Sequence, residues 1–361
     1  MSFLIHLITT IERGGAEKQL LILAKEQVKM GLSVSVIPLK GKAELLSDFE
    51  EIGVNVDLCL LNKPFLIQLV LLLRKFNVAK LSLHAHLPRA ELIASLTSLR
   101  NPFFTSRHNA EQFFPRANRL ISRLMSRFVI LRARKVIAIS FAVREFLLNS
   151  REAKDSDKIV VVHYGIEIQK TTESTDRSAV NRTTSPNPEF KIGTIARIDK
   201  QKDFPTLLMA FQMISKRFPD AKLYIVGNGP LLHEMQQLSR DLQIDHLITW
   251  RGRIFDIDDY LKTLDLFILT SVYEGFGLVL LEAMKNSVPI VASRNSAIPE
   301  VLGDDHELLA ETGSSLDFYN KVEKFRVNNK KEEVLAYQEK RLGLFSASKM
   351  ASAINLVYQI A

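Results

Sequence analysis

An alternation that stops and then starts again restricts this chain more than any other feature. Short apolar runs at residues 3–9, 33–39, 80–83, 103–106, 135–139 and 159–162 are separated by stretches of helical spacing, the first at about 16–29. Strand–helix–strand alternation of this kind predicts a parallel sheet covered by helices on both faces. Residues 167–188 break it. They are polar, contain Pro186 and Pro188, and have no period, which predicts a linker. Beyond them strands are expected at 190–196, 222–226, 247–250, 266–269 and 289–292, with helices at 204–216, 230–242, 258–264 and 278–285. The reading is α/β, with two Rossmann-like doubly wound domains in series. Ligands of such sheets bind beyond the carboxyl ends of strands, so two of them face to face make a central cleft.

Length agrees with two domains, since 361 residues exceed one ordinary core. The single cysteine, Cys59, excludes an internal disulfide framework and a cysteine-based zinc cluster, and fits a reducing compartment. The start lacks a basic n-region, which argues against a secretory signal. The apolar run at 65–73 is too short for a membrane-spanning helix, which needs about 20 residues. Charge is placed unevenly. Residues 1–165 hold 24 Lys+Arg against 14 Asp+Glu, and the remainder is slightly acidic. The first half is therefore expected to meet an anionic partner: nucleic acid, a membrane surface or a charged substrate.

Four clusters carry candidate chemistry. The strongest runs Thr270-Ser271-Val272-Tyr273-Glu274-Gly275-Phe276-Gly277-Leu278, with Glu282 eight residues after Glu274. Its glycines admit close approach to a ligand, and amides opening the helix suit an anion. Two carboxylates at this spacing can accept hydrogen bonds from a polyhydroxylated ligand, although Glu282 also reads as a solvated helix residue. In Ala196-Arg197-Ile198-Asp199-Lys200-Gln201-Lys202-Asp203, Arg197 and Lys202 can converge on a diphosphate, or simply decorate a surface loop. Gly14-Gly15-Ala16-Glu17 opens the first helix. It is neither a dinucleotide-binding glycine pattern nor a Walker loop, and it also reads as a flexible turn. Gly227-Asn228-Gly229-Pro230 is a further strand–glycine–helix junction, or a tight turn with a helix-starting proline.

In this order, Gly14-Gly15, Arg197…Lys202, Gly227-Asn228-Gly229-Pro230 and Glu274…Glu282 resemble glycosyltransferase family 4, retaining enzymes of the GT-B fold that use nucleotide sugars. Ser140 and Tyr164-Gly165-Ile166-Glu167 also look like the family's pattern. The resemblance implies an acceptor domain over 1–166, a linker over 167–188 and a donor domain over 189–345. A C-terminal helix at about 346–361 would cross back to the first domain. It further implies that Gly15, Arg197 and Lys202 hold the donor diphosphate. Glu274 and the backbone of Gly275, Phe276, Gly277 and Leu278 would meet the transferred sugar, Glu282 the ribose, and Arg253 the base. Gly227 joins this donor set. His108 would line the reaction centre as a catalytic residue beside Glu274, Arg197 and Lys202, and His86 would serve the acceptor side. The sequence departs from the family's pattern at Glu307, where a glycine is usual.

The reaction implied is transfer of a hexose or N-acetylhexosamine, with UDP as the favoured nucleotide, to a glycan or lipid-linked acceptor of bacterial surface polysaccharide or lipopolysaccharide. No cofactor or metal is expected, because Arg197, Lys202 and helix-end amides can stabilise the departing diphosphate. The Asp-x-Asp pairs Asp155/Asp157 and Asp256/Asp258 read as a turn and a helix cap. The expected location is cytoplasmic, including the inner membrane face. Arg116, Arg119, Arg123 and Arg127 share one helical face, with Leu120, Ile121, Leu124, Met125 and Phe128 forming an apolar one, so the helix either lies on anionic lipid or packs its apolar side on the core. Competing readings are a GT-B epimerase or phosphorylase, and a basic nucleic-acid-binding protein, although no nucleic-acid module is present.

Overall fold

The computed structural model describes residues 3–76, 82–99, 101–115, 117–168, 189–254 and 256–360. The chain divides into two compact units, Met1–Glu167 with Phe345–Ala361, and Ile168–Leu344. Most of the expected linker, from residue 169 to 188, lies outside the described residues, as does Arg116.

The first unit has seven strands: β1 (Phe3–Ile8), β2 (Ser33–Pro38), β3 (Asn55–Val56), β4 (Ser82–His86), β5 (Phe103–Arg107), β6 (Lys135–Ala138) and β7 (Ile159–Val161). They form one parallel sheet in the order β3-β2-β1-β4-β5-β6-β7. Its helices are α1 (Gly15–Lys29), α2 (Leu46–Glu51), α3 (Phe65–Phe76), α4 (Pro88–Thr97), α5 (Arg119–Arg132) and α6 (Phe141–Asn149). Fully buried Ile5, Leu7, Val36, Ile37, Leu83, Ala85 and Val136 show why apolar runs without alternation become central strands. Burying each such side chain contributes about 1.5–3 kcal/mol. Gln68 interrupts the apolar run of α3 without cost, because its amide donates to the carbonyls of Leu39 (2.7 Å) and Leu60 (2.8 Å).

The second unit has six strands: β8 (Phe190–Ile195), β9 (Ala221–Val226), β10 (Ile248–Trp250), β11 (Leu266–Leu269), β12 (Ile290–Ser293) and β13 (Leu309–Ala310). They are again parallel, in the order β10-β9-β8-β11-β12-β13. Its helices are α7 (Phe204–Arg217), α8 (Leu232–Asp241), α9 (Ile257–Lys262), α10 (Leu278–Lys285), α11 (Ile298–Leu302), α12 (Ser315–Val327) and α13 (Lys331–Leu342). Phe204, Leu207, Leu208, Phe211 and Ile214 line the inner side of α7. They share a core with Ile192, Leu223 and Ile225 of the sheet and with Phe318, Val322 and Phe325 of α12.

The last helix, α14 (Ala347–Ile360), belongs to the first unit. It is tied there by a bridge between Ile166 and Ser346, with Ala347 N donating to Ile166 O at 3.0 Å. Gly165 permits this crossing, since a Cβ on it would lie 2.6 Å from the carbonyl oxygen of Ser346.

Two expectations change. The strand expected at 80–83 runs instead over Ser82–His86, because two polar side chains that seemed to end the apolar pattern, His84 and His86, find partners inside. And α5 does not pack on its leucine face. Leu120, Ile121, Leu124 and Phe128 are exposed, whereas Ser122, Ser126, Val129 and Ile130 are buried. The reason is Arg107, buried at the end of β5. Its Nε sits 2.9 Å from Glu91 Oε2, and its Nη2 donates to Ser126 Oγ at 2.6 Å. Ser126 in turn donates to Glu152, and Ser122 Oγ accepts from Phe114 N at 2.8 Å. A buried ion cluster requires polar neighbours, so α5 turns serines inward. Burial pushes the carboxyls of Glu91 and Glu152 up, and the Arg107 charge opposes it.

Candidate functional site

The second unit gathers its site from two loops that follow β8 and β11. Asp203 lies in the left-handed region (φ 47°), and its carboxylate accepts from the hydroxyl of Thr206 at 2.6 Å, which caps α7 and fixes Lys202 just ahead of it. Thr270 Oγ1 donates to the carbonyls of Lys202 (2.9 Å) and Asp203 (3.1 Å). Val272 N donates to Gln201 O, and Gln201 Nε2 donates to Tyr273 O, both at 2.9 Å. These bonds bring together two residues 72 positions apart: Lys202 Nζ lies 2.5 Å from Glu274 Oε1. Ser271 Oγ donates to the same oxygen at 2.7 Å, and the Glu274 amide donates to Ser296 Oγ at 3.0 Å. Both side chains of the ion pair are largely buried.

Around the pair, Gly275, Phe276 and Gly277 are buried, and Gly277 adopts φ 85° where α10 begins with no side-chain cap. The Phe276 ring is 2% exposed and serves the core. Glu282 lies half-buried on α10. The positive end of α10, Lys202 and the Glu274 carboxylate together suit a ligand that is anionic at one end and hydroxylated at the other.

Two expected donor residues already have partners. The Arg197 side chain, 73% exposed, pairs with Asp199 at 3.6 Å. Gly227 has a packing role. It has φ 141°, and a Cβ there would lie 1.9 Å from the carbonyl oxygen of Ala196. Its amide is already donated to Gly252 O at 2.7 Å. Arg253 is exposed beside Gly252. The Asp-x-Asp pairs have local partners. Asp256 caps α9 by accepting from Asp259 N, Asp258 is held by Lys285 and Asn286, and Asp155 accepts from Asp157 N. Glu307 pairs with Lys324 and Lys330, which hold its carboxyl below the usual range against the opposing effect of burial.

The remaining candidates lie in the first unit. Gly15 is exposed at the start of α1, whose N-cap, Gly14, supplies no side chain. His86 and His108 are both held in a buried imidazole row. His6 Nδ1 lies 3.0 Å from His86 Nε2, His86 Nδ1 lies 3.2 Å from His108 Nε2, and His108 Nδ1 meets the Tyr164 hydroxyl. Both ring nitrogens of His108 thus have partners within the first unit. Burial lowers His6 to about 4 and His108 to about 3, with Arg107 adding to the latter. His84 and His86 are also pushed well down by burial. The ring nitrogens of His6, His84 and His86 come within 4.8 Å of one another, a metal-like grouping. Yet each is already engaged: His6 by Gln27 and His86, and His84 by Tyr358 (2.7 Å) and Ser106 (2.8 Å).

Sequence reasoning did not single out His6, Gln27, Arg107, Ser271 or Ser296. Of these only Ser271 stood inside a cluster already of interest; the others act through contacts that have no short-range spacing.

A profile described as Glycosyl transferases group 1 matches residues 176–342, and one described as Glycosyltransferase Family 4 matches residues 13–170. The chain is 37% identical over 122 residues to the N-acetyl-alpha-D-glucosaminyl L-malate synthase of Bacillus anthracis, covering 34% of this chain and 32% of that protein. It is 22% identical over 322 residues to the capsular polysaccharide biosynthesis glycosyltransferase CapM of Staphylococcus aureus, covering 85% and 79%. The match thus spans about a third of the Bacillus relative's length. Among solved structures, Anabaena HepE in complex with UDP superimposes with a TM-score of 0.82 at 20% identity over all of both chains. This likeness shows the GT-B fold of two Rossmann-like units.

Proposed function

The chain belongs to the family 4 glycosyltransferases, and from that premise we propose that it moves a hexose or N-acetylhexosamine from a nucleoside diphosphate sugar to a glycan or lipid-linked acceptor in bacterial surface-polysaccharide synthesis. The observation that carries this is the buried Lys202–Glu274 pair at the foot of α10. It sets a cation and a carboxylate side by side, one suited to a leaving diphosphate and the other to sugar hydroxyls. Breaking the anomeric bond leaves an anionic diphosphate. Lys202, the opening amides of α10 and the solvent-facing Arg197 would stabilise it, with no metal needed. Glu282 on the same helix would take the ribose. UDP is the preferred nucleotide, in line with the UDP complexes of the similar Anabaena protein. The proposed outcome at the anomeric carbon is retention.

Among the described residues no helix is long and apolar enough to cross a membrane. We assign the acceptor side to the first unit and a peripheral place on the inner membrane face. Support comes from α5, where exposed Leu120, Ile121, Leu124 and Phe128 alternate with Arg119, Arg123 and Arg127. A cavity of about 560 Å³ beside it is lined by Arg119, Arg123 and Arg151, which suits a phosphate-bearing headgroup.

The test is calorimetric titration of the full chain with UDP-, GDP- and ADP-sugars in EDTA, followed by turnover with the donor that binds. Tight binding of one donor and EDTA-resistant turnover are expected. Binding of none, or turnover abolished by EDTA, overturns the assignment.

A further inference from the structure

The imidazole row of the first unit has a direction. It runs along one face of the sheet from β1 (His6) through β4 (His86) to the residue after β5 (His108), and ends at Tyr164 beyond β7. At its other end His6 Nε2 faces Gln27 Oε1 of α1 at 2.8 Å. Gln27 Nε2 faces Asn355 Oδ1 of α14 at 3.3 Å, and Asn355 Nδ2 faces the sulfur of Met30 at 3.1 Å.

The thioether sulfur has no hydrogen to give, so Asn355 presents its NH₂ to Met30 and its oxygen to Gln27. Gln27 therefore presents its NH₂ to Asn355 and its oxygen to His6. An amide oxygen only accepts, so His6 carries its proton on Nε2 and leaves Nδ1 bare. His86 must then donate from Nε2, which leaves its Nδ1 bare, and His108 must donate from Nε2 in turn. His108 Nδ1 finally accepts from the Tyr164 hydroxyl. A single reversed ring would set two lone pairs or two N–H groups against each other in a buried place, so the row reverses as a whole or not at all.

We infer that Gln27 and Asn355 are positioning residues that lock the tautomer of His108 from three and four hydrogen bonds away, so that His108 presents Nδ1 as an acceptor and never as an N–H. The row is a lock and not a proton conductor, because Gln27 can neither supply nor take up a proton. The cavity bordering His86, His108 and Tyr164 is about 20 Å³, room for about one water. The assignment of tautomers stands whatever the chain transfers. Only its bearing on the reaction rests on the placing of His108 near the acceptor and sugar. There it predicts that a ligand reaches His108 Nδ1 only by displacing the Tyr164 hydroxyl and only with a group that can donate, so an unprotonated phosphate oxygen is rejected.

The test is long-range ¹H–¹⁵N correlation of the imidazole nitrogens in the ¹⁵N-labelled full chain at neutral pH, each ring assigned by loss of its signals on single substitution. The expected pattern is Nε2 protonated and Nδ1 bare in His6, His86 and His108. Gln27→Met removes the accepting oxygen and should give His108 mixed tautomers, although it touches neither His86 nor His108. Gln27→Glu keeps an acceptor and should restore the single pattern. A proton on Nδ1 of His86 or His108 in the unsubstituted chain overturns the inference, as does a His108 spectrum indifferent to Gln27→Met. Should Gln27→Met fail to fold, the spectrum of the unsubstituted chain decides alone.

Discussion

Substituting Lys202 and Glu274 singly and together separates what the pair does for folding from what it does for a donor. At 2.5 Å the attraction is about 7 kcal/mol at an effective dielectric constant of about 20, before the cost of desolvation is subtracted. The relevant quantity is what remains after one partner goes. Lys202→Met strands the Glu274 carboxylate, 9% exposed, with only the Ser271 hydroxyl on its Oε1. A charge stranded in this way costs about 3–5 kcal/mol. Glu274→Gln strands Lys202, which is 17% exposed and better hydrated, so the lower end of that range is expected. For a unit of this size the loss corresponds to roughly 6–20 °C in Tm. The double substitution removes both charges and should return to within about 1–2 kcal/mol of the starting chain, which gives a large positive coupling. Donor binding behaves differently. If the pair meets the diphosphate and the sugar, both singles and the double lose transfer by a factor on the order of 100 or more. Urea unfolding followed by the fluorescence of Trp250, which lies in the second unit, reads the first quantity, and calorimetry with turnover reads the second. A double variant that recovers both stability and transfer would refute a functional role for the pair. Singles as stable as the parent would refute the electrostatic argument itself.

The other expectations follow from single contacts. Acid should unfold the first unit before the second. His6, His84, His86 and His108 have folded values below the ordinary 6.5, so the unfolded chain binds more protons. Stability is full above about 6.5 and is lost as pH falls toward the folded values, about 4 for His6 and about 3 for His108, with His84 and His86 also held well down by burial. Raised Glu17, Glu91 and Glu152 offset part of this, and Tyr164 and Tyr358 beside the row, pushed up by burial, gain no charge in that range. Far-ultraviolet dichroism should therefore be lost at a higher pH than the Trp250 signal, and coincident curves would count against it. Gly227→Ala should destabilise the second unit by about 3 kcal/mol or more in denaturant, since its Cβ meets the Ala196 carbonyl at a positive φ. Ser126→Leu should cost a similar amount in the first unit by breaking the Arg107–Glu152 link, despite raising the apolarity of α5. Leu124→Asp with Phe128→Ser should leave folding intact and reduce sedimentation with phosphatidylglycerol vesicles at least tenfold; unchanged sedimentation would remove α5 from the membrane.

The fold was legible because its evidence is periodic. Apolar runs at the centre of a parallel sheet are buried on both faces, and a helix such as α7 keeps one side apolar, so spacing alone located most strands and the principal helices. The two-residue strands β3 and β13 were not, since two residues have no period. The Lys202–Glu274 site was half legible. Each residue stood beside a strand end in a recognisable cluster, but that they hold each other depends on Thr270 and Gln201 stitching two loops together across 68 to 72 positions. Arg197 and Gly227 were read by the same rule, but a strand-end position says where a residue sits and not which partner it already holds, Asp199 for the one and the Gly252 carbonyl for the other.

The faces of α5 and the histidine row show what pattern reading misses in principle. On α5 the leucines and arginines leave open which way the apolar side turns, and one buried guanidinium decides it: Arg107 needs Ser126 and Glu152 more than the core needs Leu124. In the row, His6 and His86 come from two strands and His108 from just after a third, and they are fixed by two amides on α1 and α14. No window of sequence contains that set. Both are buried polar networks, in which one member's choice of donor or acceptor dictates the next, so their logic is carried by contact order and not by period. A substitution at Gln27 or Ser126 would accordingly be felt at His108 or Glu91, with no change in any local propensity. The chemistry of the first unit is therefore to be sought in how these networks are closed, at Tyr164 for the one and at Glu152 for the other.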